Sequence, residues 1–185
     1  MKKNIGAVVG LYPTPVTVVG TVVDGRVNWI NIVHVGIVGL DQIMISMGKT
    51  HYSNKGIKAN KTCSINIVNK ALIEAADYVG LYSGKTVDKS GVFPYYFSEL
   101  ENAPLIETAP VAMACIVEDI YETMTHDNFI VRPIHTYVES DYLNEEGQIA
   151  FEKVSSILFE MGCKQYMTTG NAIGKGWMMG EFFKK

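Results

Sequence analysis

Polar residues gather where the early apolar runs of this chain end: Asn31 and His34, then Ser46, Lys49, His51 and Ser53, then Asn66. Hydroxyls, amides and a lysine so placed suit a phosphate and a heterocycle, which need several donors and one or two positive charges. The same residue types also close turns, because Asn and Ser side chains bond to nearby backbone, so spacing alone leaves both readings open. Other chemistries lack their motifs. There is no GxGxxG after the first strand and no GxxxxGK[ST]. A GxSxG elbow and an HExxH helix are absent as well. The cysteines, Cys63, Cys115 and Cys163, are far apart and show no CxxC or Cys/His spacing, so no metal site is expected. Buried packing is the expectation for each of them, in a reduced cytoplasmic interior.

Short β-strands must position these residues. Val16 to Val23 is rich in Val and Thr and runs into Asp24-Gly25, a hairpin dipeptide, with Val27 to Ile32 as the returning strand. Gln42 to Met47 alternates only partly, as a strand covered on both faces does. Ser53 to Asn60 reads as a short helix with Ser53 as its N-cap. Thr62 to Val68 is a β-branched strand, and Ala71 to Leu81 has the apolar spacing of a helix. Gly84 and Gly91 flank a polar loop. Pro104 and Pro110 break the next stretch, after which Val111 to Tyr121 and Phe129 to Ser140 read as a long hairpin. Ile149 to Glu160 reads as a helix. Strands at hairpin spacing with brief helical inserts predict a small barrel, not a βαβ sheet.

Composition agrees with one compact domain over residues 1–185. Apolar residues make up 48% of the chain and charged residues 19%, enough to build a core. The net charge of −3 comes without any basic run, so no nucleic-acid partner is expected. No apolar stretch approaches the length of a bilayer span, so no membrane association is expected either.

Taken in order, several segments resemble the flavin reductase-like family, which includes the flavoredoxins. They are Pro15-Val16-Thr17-Val18-Val19-Gly20, Asn31 to Gly36, Ile43-Met44-Ile45-Ser46-Met47, His51-Tyr52-Ser53 with Ile57, and Cys63-Ser64-Ile65-Asn66-Ile67. Ser83-Gly84-Lys85-Thr86-Val87-Asp88-Lys89 is similar to the family's Ser-Gly-x-x-x-Asp-Lys loop, and Ala103-Pro104-Leu105-Ile106-Glu107 to its Ala-Pro-Leu-Ile-Glu segment. Departures occur at Gly36, where members often carry Ser, at Asp41-Gln42 in place of Pro-Pro, and at Ser53, where Thr is commoner.

The resemblance implies a mostly β, FMN-binding split β-barrel, a six-stranded Greek key with short peripheral helices. It also implies a homodimer with FMN held non-covalently near the subunit interface. By motif position, Ser46, Lys49, His51 and Ser53 are candidates for the phosphate and ribityl chain, and Asn31, His34, Asn66 and Lys89 for the isoalloxazine. A cation such as Lys89 near the N1/O2 edge would stabilise the anionic reduced ring. Trp29, Tyr82, Phe93 and Tyr95 would line the flavin or the dimer interface, or pack the core, as aromatics do anywhere. The implied function is an FMN oxidoreductase that takes electrons from NAD(P)H or a redox protein and passes them to an acceptor, as an enzyme or as an electron carrier. The alternative is a non-catalytic module that binds or senses flavin. A pyridoxamine-phosphate type oxidase ranks last, for want of an Arg/His set suited to a second phosphate.

Overall fold

The computed structural model describes residues 1–181 and 183. In chain order the first strands are β1 (Thr14–Pro15), β2 (Thr17–Val23), β3 (Arg26–Ile32), β4 (Val35–Ile37) and β5 (Ile43–Gly48). Helix α1 (Ser53–Asn60), strand β6 (Thr62–Ile67) and helix α2 (Ile73–Leu81) follow. Next come β7 (Tyr95–Tyr96), β8 (Leu105–Ile106), β9 (Val111–Glu122) and β10 (His126–Val138). The chain continues through a 3-10 turn (Ser140–Tyr142), α3 (Phe151–Val154), β11 (Ile157–Glu160) and β12 (Gln165–Thr168).

Seven strands form one antiparallel sheet in the order β3-β2-β6-β9-β10-β5-β4. Its two end strands, β3 and β4, are joined in the chain by Val33 and His34 alone, so the sheet must curl until its edges meet. The His34 carbonyl accepts from the Ser46 amide at 2.9 Å, which seals that junction. If β3 and β4 are read as one strand bent at His34, the barrel has the six strands expected. Closing the sheet also removes its exposed edges.

The β2–β3 turn is the one the Asp24-Gly25 dipeptide favours: both residues have positive φ, 51° and 78°. Strand β2 is buried on both faces, which explains its unbroken apolar run. Val19 packs inside the barrel with Ile45, Met47, Ile65 and Phe129, whereas Val18 packs outside it with Trp29, Val79 and Leu105. Helix α1 plugs one end of the barrel, with Ile57 fully buried in the interior cluster. Pro133, which cannot donate to a ladder, sits beside a register shift in β10.

Three expectations change and one open alternative is decided. Ser53 is not the N-cap of α1: Tyr52 holds that position, and the Ser53 hydroxyl instead accepts from Asn28 Nδ2 at 2.7 Å. The helix expected over Ile149 to Glu160 shrinks to Phe151–Val154. It stops at Ser155, whose φ is 48°, and the residues after it become β11, which pairs with β1 and β12. Pairing with Thr14–Pro15 overrides the local helical spacing there. Trp29 and Phe93 are core residues, whereas Tyr82 and Tyr95 keep exposed edges. Cys163 is exposed, unlike the other two cysteines.

Cys63 and Cys115 face each other across the β6–β9 ladder, and burial pushes the Cys63 thiol up to about 12 and the Cys115 thiol up as well. Thiolate is the reactive form. A disulfide reagent is therefore expected to modify Cys163 quickly in the native protein and the other two only on unfolding. More than one fast equivalent would contradict this packing. Among the described residues, no helix is long and apolar enough to cross a membrane.

Candidate binding site

Asn28 lies on β3 beside the N-terminal end of α1, and its bond to Ser53 ties strand to helix across the barrel end. Tyr52 and Lys55 reach the other way and hold the hairpin turn: the Tyr52 hydroxyl donates to Asp24 at 2.8 Å and the Lys55 ammonium to the same carboxylate at 2.5 Å. Asn54 Nδ2 donates to the buried Asp127 carboxylate at 2.7 Å, and Lys58 lies 3.0 Å from it. The first turn of α1 is thereby fixed from three directions.

Helix α2 lies across the outside of β3 and ends at Leu81, where the chain enters the 83–89 loop. Two backbone carbonyls near that end, those of Val79 and Tyr82, accept from Lys89 Nζ at 3.0 Å each. A cation at a helix C-terminus also complements the helix dipole. Lys89 is 3% exposed, and burial brings its ammonium down to about 8. Two of its three protons are used, which leaves one donor.

Between β3, the start of α1, the end of α2 and this loop lies a cleft with two lobes, of about 370 and 240 Å³. Asn28, Tyr52, Gly84 and Lys89 are common to both lobes. Arg26 and Lys85 border the larger, and His51, Ser53 and Tyr82 the smaller. Gly84 is required here: a β-carbon on it would overlap the Asn28 amide and meet Tyr52 at 2.7 Å. His51 is held below the usual imidazole range by burial, then by the charges of His126 and Lys89, and so is neutral near pH 7.

Of the residues expected from sequence, His51, Ser53 and Lys89 line this cleft together. Asn31 lines an adjoining hollow that shares Gly80 and Leu81 with it. His34 and Ser46 stand at the β3–β4 junction, where the His34 ring lies 2.9 Å from the Tyr12 hydroxyl and its centroid 6.3 Å from that of His126. Lys49 pairs with Glu122 at 2.8 Å outside the cleft. Asn66 is fully buried and its amide is used by the barrel: it donates to Val18 O and Ser64 Oγ and accepts from the Ile106 amide.

Sequence reading missed Asn28, Tyr52 and His126. Asn28 fell within the strand read over Val27 to Ile32, although the Asp24-Gly25 turn just before that strand was visible, and Tyr52 stood in the His51-Tyr52-Ser53 segment without being assigned a role. His126 reaches the region only because it pairs with Gly48, beside the His51 ring, across the β5–β10 ladder.

The lining suits a phosphate ester attached to a ring. It offers a buried ammonium with a proton left to donate, an imidazole, and a Ser53 hydroxyl whose oxygen accepts from Asn28 and whose proton remains available.

Comparison with known proteins points the same way. The flavin reductase like domain matches residues 9–155. A flavoredoxin from Methanosarcina acetivorans has 32% sequence identity and a TM-score of 0.94, with 98% of each chain covered. The flavoredoxin of Desulfovibrio vulgaris (Miyazaki F) has 27% identity and a TM-score of 0.89, covering 98% of this chain and all of that one. An FMN-binding protein from Thermus thermophilus shares the fold at 22% identity, with a TM-score of 0.75 over 91% of this chain and 94% of that one. Among curated proteins no match is found.

Proposed function

The chain belongs to the flavin reductase-like family, and from that membership we propose that it holds FMN non-covalently in the two-lobed cleft and passes electrons from a reduced donor, NAD(P)H or a redox protein, to an acceptor. The general role, flavin-linked electron transfer, rests on the family and on its split-barrel neighbours. The observation that carries the specific reading is the meeting of His51 and Ser53, at the start of α1, with Lys89, from a loop distant in sequence, around one cavity.

When bound, the flavin supplies the redox chemistry; the chain binds, orients and tunes it. Ser53 donates its hydroxyl proton and His51 one ring N–H to the phosphate and ribityl end. Lys89 lies on the wall common to both lobes, so its charge favours anionic forms of the bound group. The second lobe adds Arg26 and Lys85. Asn31 and His34 flank the ring end, where Ser46 fixes the His34 backbone. Asn66 acts through the barrel wall, and Lys49 through its pair with Glu122, which steadies the approach to α1.

A homodimer is part of the proposal. Val8, Val9 and Leu11 near the N-terminus, Ile37 and Leu40 on the β4 side, and Ile173 and Trp177 near the C-terminus are all exposed. Exposed apolar side chains of this kind are what a second copy would cover. We place the whole chain, as one domain, in the cytoplasm, where its thiols stay reduced.

The purified protein is expected to be yellow or to take up FMN, to elute as a dimer in light scattering, and to bleach on anaerobic reduction. Rapid bleaching with NADH or NADPH would identify a reductase. Slow bleaching with nucleotide and rapid bleaching with a reduced redox protein would identify a carrier. A flavin that resists both leaves only a binding or sensing module, and a protein that takes up no FMN in calorimetry ends the proposal.

A further inference from the structure

The Ala103-Pro104-Leu105-Ile106-Glu107 segment takes no part in the cleft, yet its last two residues line a separate cavity of about 250 Å³ that shares no lining residue with either lobe. Pairing of β7 with β8 sets Tyr96 opposite Leu105, and pairing of β10 with β9 sets Tyr137 opposite Ala112. Ile106, Ala109 and Ala112 are buried and give the cavity an apolar floor, where the two alanines leave room that larger side chains would fill. Tyr96 and Tyr137, both half-buried, meet as a corner, with ring centroids 5.9 Å apart and planes inclined at 85°. The Tyr137 hydroxyl donates to Glu99 Oε2 at 3.1 Å, and donation to a carboxylate polarises the phenol and enriches its ring in electrons.

Glu107 and Glu139 complete the lining. Their amides are fixed by the Pro94 and Pro110 carbonyls, at 3.0 and 3.3 Å, and neither carboxylate forms an ion pair among the described residues. No lysine or arginine among the described residues lines the cavity, and His135 stands outside the lining, 3.5 Å from Glu99. The Tyr96 phenol is held above its usual range by burial and then by Tyr137, Glu139 and Glu107, in keeping with an uncompensated negative field at this spot.

We propose that this cavity binds a small organic cation whose charge is sheathed in methyl groups, a quaternary ammonium. Electron-rich ring faces attract such a cation, the two carboxylates add to the attraction, and the apolar floor receives the methyls. A primary ammonium brings three N–H donors that need partners, which the floor does not supply. The volume lies just below the usual range of ligand pockets and limits the occupant to a few carbon atoms. Anions, including a flavin phosphate, are repelled here, so the site is independent of the cleft and of the reading given to it.

Choline tests this by ligand-detected NMR titration of the full chain, beside 3,3-dimethylbutan-1-ol, its uncharged isostere, and ethanolamine, its unmethylated counterpart. Choline is expected to bind saturably and about tenfold more tightly than either. Tyr137→Leu is expected to weaken it about tenfold, Tyr137→Phe to keep most of the affinity because the ring remains, and Glu107→Gln with Glu139→Gln, both at exposed positions, to weaken it severalfold without loss of folding. No saturable choline binding overturns the inference, as does equal affinity for choline and its uncharged isostere. Ethanolamine binding as tightly as choline overturns the assignment to a methylated cation. Unchanged choline affinity in the double glutamine variant, or competition between choline and FMN, would place the cation elsewhere and overturn the inference while leaving the flavin reading untouched.

Discussion

Replacing Lys89 with Met is expected to weaken FMN binding by about ten- to a hundredfold, the worth of one hydrogen bond to a charged group, some 1.5–3 kcal/mol. The wild-type pH dependence provides a check that needs no mutation. Burial brings the Lys89 ammonium to about 8 in the free protein. An anion bound beside it raises that value again, so binding takes up a proton wherever free Lys89 is neutral. Affinity should be level up to pH 8 and fall above it, by at most about tenfold per pH unit.

Folding without ligand should respond in the opposite sense. The unfolded lysine titrates near its ordinary value of 10.5, so between pH 8 and 10.5 the unfolded chain binds more protons than the folded one. The Lys89 contribution to stability is therefore least below pH 8 and improves as pH rises through that window. Lys89→Met should abolish both slopes. An FMN affinity that stays level from pH 7 to 10, measured by fluorescence quenching, would remove Lys89 from the site.

Gly56→Ala is expected to destabilise the protein by about 2–3 kcal/mol, read as a lower urea midpoint with an unchanged slope. Two effects oppose each other. Alanine is favoured over glycine inside a helix by about 1 kcal/mol. Against this, a β-carbon at Gly56 would overlap the Val22 carbonyl oxygen, meet Val23 Cγ2 at 2.7 Å and touch Thr21 Oγ1 at 3.0 Å. All three obstacles belong to strand β2, and the Val22 carbonyl cannot swing aside as a side chain can. Helix α1 has to retreat, which draws Ile57 out of the barrel and shifts Ser53 away from Asn28. Overpacking of this kind outweighs the propensity gain, and FMN affinity should fall with stability. A variant as stable as the parent would mean that α1 sits less tightly on β2 than this packing requires.

Much of the scaffold was legible because its signals are local. Asp24-Gly25 specifies a turn whose positive φ angles few other pairs accept, and the β-branched runs on either side become β2 and β3. The 53–60 helix and the long 111–138 hairpin could be read the same way. Illegible were features decided by partners distant in the chain. Ile157 to Glu160 carries apolar residues that would serve a helix, yet β1, more than 140 residues earlier, captures it as a strand. Ser53 looks like a cap by type, but Asn28 claims its hydroxyl. Cys163 resembles the other cysteines in sequence and differs in lying at a hairpin turn on the surface.

The candidate site divides along the same line. Residue types along the chain were enough to nominate His51 and Ser53 for a phosphate and ring ligand, because donors at strand and helix ends are a property of local pattern, whereas Lys89 was nominated only through the family resemblance of its loop. Only the closed sheet determined that these three share a cavity, that Lys49 turns to Glu122, that Asn66 is spent within the barrel wall, and that Asn28, Tyr52 and His126 join the region. Those outcomes depend on strand register and on the curl that brings β3 around to β4, and register is a balance of contacts between residues that have no neighbourhood until the chain has folded.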